Sequence, residues 1–347
     1  MFKSVLSLTL AAALGTASFG QTTLTAIPGE AAAAKYASIS QEILRAIEKG
    51  NEYLKSKQNP EGYWAQPSYP ALTALAVTAY MRDPANQGKP VPEYIRKGYD
   101  FILKSQKEDG SIFNRGMSSY NTAVCMMALL AANKEEYAPA ILKGRAYLIK
   151  QQNHFAPDNP YNGGIGYGDK QAPPIADLSN TSLALEAIYY SQKLAKDGKY
   201  GEQPDLDWNA ATEFINRCQQ NPAVNKEPWV SNDKSQLGGF VYRPGVSSAR
   251  DKKSAAFDKA EPPKAYGSMT YAGMQSLIYA NVDKNDPRVK LALKWLENSY
   301  SLDENPGMGV QGLYYYYQAM SKALSAMGID TPVSYTHLRA HETLANL

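Results

Sequence analysis

The chain is poor in the residues that hold metals. It has two cysteines and three histidines in 347 residues. Cys125 and Cys218 fall in apolar, helix-like segments with no histidine beside them, which excludes a Cys/His zinc site and reads as two buried free thiols. His337 and His341 sit near the C-terminal end, so His154, in a loop-like stretch, is the one histidine left, and a Ser-His-Asp device lacks a credible base. No charge sign dominates. Lys and Arg total 36 against 33 Asp and Glu, and the net charge of +3 is spread along the chain, which gives no case for nucleic acid. The one long apolar run, Val5 to Leu14, is too short to span a bilayer, so no transmembrane segment is expected. Gly163 to Gly168 follows no strand and fails the dinucleotide-loop spacing. No cofactor is expected.

What is present begins with an export signature. Lys3 precedes the apolar run, and Ser18-Phe19-Gly20 supplies small residues for cleavage before Gln21. Residues 1–20 therefore read as a signal peptide of an exported, periplasmic or extracellular protein, and Ala-rich 21–36 as a linker. Tyrosine is abundant, 25 against 8 Phe and 4 Trp, which suits a wet groove or cavity because each ring carries a polar tip.

One motif recurs. Lys49-Gly50-x2-Tyr53-Leu54-x3-Gln58-x3-Gly62-x-Trp64 is followed by Lys97-Gly98-x2-Phe101-Ile102-x3-Gln106-x3-Gly110, with Phe113 near the tryptophan slot. Lys143-Gly144-x2-Tyr147-Leu148-x3-Gln152 is the third copy, and Phe214-Ile215-x3-Gln219 and Lys290-x4-Trp295-Leu296 are weaker ones. A period of roughly 45–50 residues, each one helix-turn-helix long, signals stacked helical repeats.

The spacing predicts outer helices near 39–57, 92–106, 137–152, 207–220 and 287–300, and inner helices near 69–82, 118–133, 178–195, 268–281 and 309–327. The first outer helix is amphipathic through Ile43, Ile47, Gly50 and Leu54, whereas Pro70 to Tyr80 is apolar or small nearly all round and should be buried on every side. Amphipathic helices outside and apolar helices inside describe an all-α fold, an α/α toroid over residues 37–332 with five repeats visible. The motif residues Gln58, Gly62, Trp64, Gln106, Gly110 and Gln152 are expected to be structural, the amide satisfying backbone groups at the helix-end turn. Two joints, 153–176 and 221–267, are expanded, and each keeps a Gly-Gly-aliphatic-or-aromatic echo of the short joint.

The motif resembles the so-called QW repeat of squalene–hopene and oxidosqualene cyclases, in a superfamily that includes protein prenyltransferase β subunits. Asp177-Leu178-Ser179-Asn180-Thr181 looks like an inner-helix start of squalene-cyclase-type repeat proteins. The resemblance covers about 37 to 329 and implies a toroid with a hydrophobic, isoprenoid-like ligand in a central cavity. It also implies a ring of about six helix pairs, hence a chain truncated from six. The cyclases' Asp-x-Asp-Asp acid motif is absent, and Asp205-Leu206-Asp207 reads as helix-capping carboxylates. The prenyltransferase Asp-Cys-His zinc set is absent too.

Asp177 is the candidate catalytic acid, with a helix cap as its structural reading. Tyr69, Tyr120 and Tyr271, at matching inner-helix starts, and Tyr314 and Tyr315, from a run covering every face of the last helix, are candidate substrate contacts. Glu186, on an apolar helix, is another, or else a carboxylate satisfied by a partner. Three functions stay open: a terpene-cyclase-like isomerase, a non-catalytic lipid- or peptide-binding toroid, and a polysaccharide lyase using a Tyr base. Val333 to Thr343 resembles a translated sequencing adapter, and 333–347 is expected to be non-native.

Overall fold

A computed structural model describes residues 30–168, 175–249 and 262–329, with side chains from residue 40 onward. The expected signal peptide, linker residues 21–29, residues 250–261 of the second expanded joint and the 333–347 tail lie outside the described residues.

All regular structure is helical: α1 (Glu30–Ser56), α2 (Pro70–Arg82), α3 (Glu93–Lys104), α4 (Ser118–Ala131), α5 (Ala138–Lys150), α6 (Leu178–Tyr190), α7 (Gln192–Lys196), α8 (Trp208–Asn216), α9 (Gly267–Tyr279), α10 (Pro287–Ser299) and α11 (Leu313–Met327). Among the described residues no strand forms, and pairing is confined to isolated bridges. Each helix expected from the periodicity is present. The segment expected as one helix over 178–195 breaks at Ser191, whose hydroxyl donates back to the Ala187 and Ile188 carbonyls. Arg145 takes the Ile188 carbonyl as well, so the helix end is satisfied from outside.

The chain divides into two compact units. The first falls within Met1–Lys150, Tyr167–Asp169 and Ala187–Asp205, the second within Gln151–Gly166, Lys170–Glu186 and Leu206–Leu347. In the first, α2 packs on α1, α3 and α4, and α4 on α5. In the second, α9 packs on α8, α10 and α11.

The repeated motif builds one joint four times. Gln58 Nε2 donates to the Gly62 carbonyl of its own turn at 2.9 Å and to the Tyr94 carbonyl of α3 at 2.7 Å. Gln106 does the same to Gly110 and Ala140, Gln152 to Gly163 and Asp207, and Gln219 to Gly238 and Arg288. Each amide thus fastens a turn to the first residues of the next leading helix. The turn glycine sits against that helix: Gly62 has φ +95°, and a Cβ on it would stand 2.5 Å from the Lys97 carbonyl oxygen. A threonine of the following helix then accepts the backbone N–H at the apolar end of each joint: Thr73 from Trp64, Thr122 from Ile112, Thr181 from Ile165 and Thr270 from Phe240.

This register corrects one reading. The counterpart of Trp64 in the second copy is Ile112, paired with Gln106 and fully buried, whereas Phe113 is only half-buried. The slot needs a buried apolar side chain, not an aromatic one; filling it contributes on the order of 2 kcal/mol in each copy.

The helices that follow the joints draw their first caps from further along the chain. Ala71 N–H is accepted by Asn121, Ser119 N–H by the Tyr167 carbonyl, Leu178 N–H by the Tyr242 carbonyl and Ser268 N–H by Asn305. Burial of these helices is uneven, against expectation. Nearly all of α4 and α9 is buried, but α2 exposes Leu75 and Ala79, and α11 buries only Tyr316, Ala319, Ala323 and Met327.

Candidate functional site

Asp177 stands just before α6 and is 2% exposed. Its Oδ1 accepts the Asn180 backbone N–H at 2.9 Å, and its Oδ2 accepts the Asn180 side-chain amide at 2.8 Å. Tyr242 adds a hydrogen bond from its hydroxyl, and Arg243 supplies a positive charge nearby. The residue is therefore a helix cap, as Asp before an apolar helix should be. It is also perturbed: burial lifts its pKa to about 6, against the restraining pull of Asn180, Tyr242 and Arg243.

Burial outweighs bonds to an ionised carboxylate because few groups replace the lost water. The pair can adapt to either charge state. Asn180 Oδ1 is buried with no partner among the described residues. With Asp177 protonated, a turn of the Asn180 amide lets that oxygen accept the new O–H.

Around the acid lie groups that reinforce one another. Cys218 is fully buried, and burial, then the charge of Asp177, pushes its thiol well up. Burial likewise raises the Tyr266 phenol, Ser248 restrains it, and Tyr315, Asp177 and Cys218 raise it further. Asp177, Tyr242, Arg243, Cys218, Tyr266 and Tyr315 thus share one electrostatic neighbourhood within the second unit.

The other sequence-selected residues fare differently. Tyr271 is 1% exposed and packs against Tyr316 with ring centroids 5.6 Å apart and the rings tilted by 57°. Burial raises its phenol. Tyr314 is 87% exposed and points to solvent. Glu186 is paired with Lys322 at 2.7 Å, a tie from α6 to α11 that satisfies the carboxylate. Tyr69 is half-buried and precedes α2, and Tyr120 is half-buried in α4, its phenol raised by burial and by Tyr167. Both belong to the first unit.

The three tyrosines are not register-matched, contrary to expectation. Measured from the joint threonines Thr73, Thr122 and Thr270, Tyr69 lies four residues before, Tyr120 two before and Tyr271 one after, so they occupy different helix faces. The counterparts of Asp177, four before Thr181, are Tyr69, Ser118 and Tyr266.

Sequence reading missed Tyr242, Arg243 and Tyr266 as neighbours of Asp177. Tyr242 lies two residues after the Gly238-Gly239-Phe240 echo, and that echo was the available signal. It also missed Arg145, 1% exposed in α5, which donates to Ile188 O at 2.5 Å and pairs with Asp205 at 2.7 Å. Arg145 closes the end of α6 within the first unit.

Grooves open among the described residues. One of about 550 Å³ in the first unit is lined by Tyr53, Leu54, Trp64, Leu72 and Leu75, and one of about 300 Å³ in the second by Gln236, Lys264, Ala265, Trp295 and Pro306. None of the residues selected as acid or substrate contact lines either. No described helix is long and apolar enough to cross a membrane. No family model matches the chain.

Proposed function

We propose that the chain is an exported protein of squalene-cyclase type, its repeats forming an α/α toroid, and that it isomerises or cyclises an isoprenoid by acid-initiated chemistry at Asp177. The observation that carries this reading is the buried carboxyl with a pKa raised to about 6 beside the phenols of Tyr242, Tyr266 and Tyr315. A general acid works best with a pKa near the working pH. In the proposed step the Asp177 O–H bond breaks, its proton forms a new C–H bond at an alkene carbon, and the adjacent carbon becomes a cation. Tyrosine faces stabilise that cation, and its charge ends with release of a proton, so the isomerisation needs no co-reactant. The repeats support the architecture, since the Gln joint ties each helix pair to the next at four places.

Binding without turnover is a second reading. It is favoured by the engagement of both Asp177 oxygens in the cap and by the neutralisation of Glu186 by Lys322. The lyase reading has lost ground: a Tyr base needs a lowered phenol pKa, and burial raises Tyr120, Tyr266 and Tyr271.

The test is incubation of the purified protein with squalene and shorter linear isoprenoids in detergent micelles, with products read by gas chromatography and mass spectrometry. Product from the wild type and none from Asp177→Asn supports the acid. Bound isoprenoid without product supports the binding reading, and neither binding nor product sinks both.

A further inference from the structure

The joints provide an internal ruler that exposes an unfilled interface. Counted from the joint glutamines, the leading helices place Gly98, Gly144 and Ala211 in one slot, all buried, with Ala292 in the same slot of α10, also buried. The neighbours show what fills it. A Cβ on Gly98 would meet Val77 at 2.6 Å, and one on Gly144 would meet Met126 at 2.9 Å, each from the following helix of the preceding pair. In the first copy the slot is Gly50, which is exposed with nothing within 4 Å.

The rest of that face is open too. Tyr53 is 62% exposed, whereas its counterparts Tyr147, Phe214 and Trp295 are 7%, 0% and 7% exposed and Phe101 is half-buried. Leu54 is half-buried, whereas Ile102, Leu148 and Ile215 are all 0% exposed.

Helix α11 carries the complement. Val77, Met126, Leu185 and Met274 lie four residues after the joint threonines and are all 0% exposed. In α11 the threonine slot holds Tyr316, the fourth residue of its helix as Thr270 is of α9, and the filling position is Met320, which is only half-buried. On the same helix Tyr314 is 87% exposed.

We propose that the Gly50 face of α1 docks the α11 face of a second copy of this chain, head to tail. The contact continues an interface that the chain already forms between α2 and α3 and between α4 and α5. The occupant follows from complementarity: α1 shows the empty slot and α11 the residue that fills it elsewhere. A head-to-tail contact is heterologous, so it closes into a ring or extends, as stacked repeats do.

The test uses the full chain. Sedimentation over a range of concentrations should show association, and Gly50→Trp, which meets open space in the single chain, should weaken it by roughly tenfold or more. Mixing Gly50→Cys with Met320→Cys under mild oxidation should link two different chains. Cys125 and Cys218 are buried and do not compete. A monomer at every concentration overturns the proposal. So does association that Gly50→Trp leaves unchanged, or a Gly50→Cys, Met320→Cys double variant that links within one chain at high dilution.

Discussion

Gly110 lies so close to Lys143 that a Cβ on it would stand 2.2 Å from the Lys143 carbonyl oxygen. Its φ of +90° disfavours any other residue as well. Gly110→Ala should therefore cost about 3 kcal/mol or more in urea unfolding. Gly198→Ala, at φ +75° with open space around it, should cost only about 1 kcal/mol. Equal losses would mean that the approach to Lys143 is not what the glycine serves.

The joint amides should rank by burial. Gln219 is fully buried, so Gln219→Ala strands the carbonyls of Gly238 and Arg288 and should cost about 2 kcal/mol or more. Gln58 is half-buried, water can replace its amide, and Gln58→Ala should cost less. The reverse order in thermal or urea unfolding would contradict a fastening role.

The Glu186–Lys322 pair predicts an asymmetry. Lys322→Met leaves a carboxylate that is 3% exposed without its partner, which should destabilise by roughly 3 kcal/mol. Adding Glu186→Gln to that variant should recover most of the loss. A double variant no more stable than Lys322→Met would show that the pair is not coupled.

Asp177 predicts a pH dependence with a definite sign. Its folded pKa of about 6 is above that of an unfolded Asp, so the folded state binds the proton more tightly. Its contribution to stability is full below about pH 4 and is lost as pH rises through about 6, a change of roughly 3 kcal/mol. The difference in unfolding free energy between wild type and Asp177→Asn should fall across that window and be flat above it. A difference that rises with pH would mean that the folded state prefers the ionised carboxylate.

The joints were legible in the sequence because each is local: a Gln, a Gly with positive φ and an apolar residue lie within a few positions in the first two copies. The third and fourth insert long loops between Gln152 and Gly163 and between Gln219 and Gly238, yet the Gly-Gly echo still marks where the joint closes. Phe113 lies near the tryptophan slot and is aromatic, but Ile112 fills it, because the slot requires burial and not a ring. Asp177 was legible as a capping acid from its place before an apolar run. Its partners were not, because Tyr242 and Arg243 reach it across a long stretch of chain and only folding brings them together. Tyr69, Tyr120 and Tyr271 all lie near helix starts, but their faces are set by position relative to Thr73, Thr122 and Thr270.

The central claim is that Asp177 keeps its proton up to a pH of about 6, well above the range of an ordinary carboxyl. Infrared difference spectroscopy of wild type minus Asp177→Asn, recorded across a pH titration, reads the carbonyl stretch of a protonated carboxyl directly. The account predicts a band that is present at pH 5 and disappears with a midpoint of about 6. A carboxylate that is already ionised at pH 5 would contradict the buried acid and leave Asp177 as a helix cap alone.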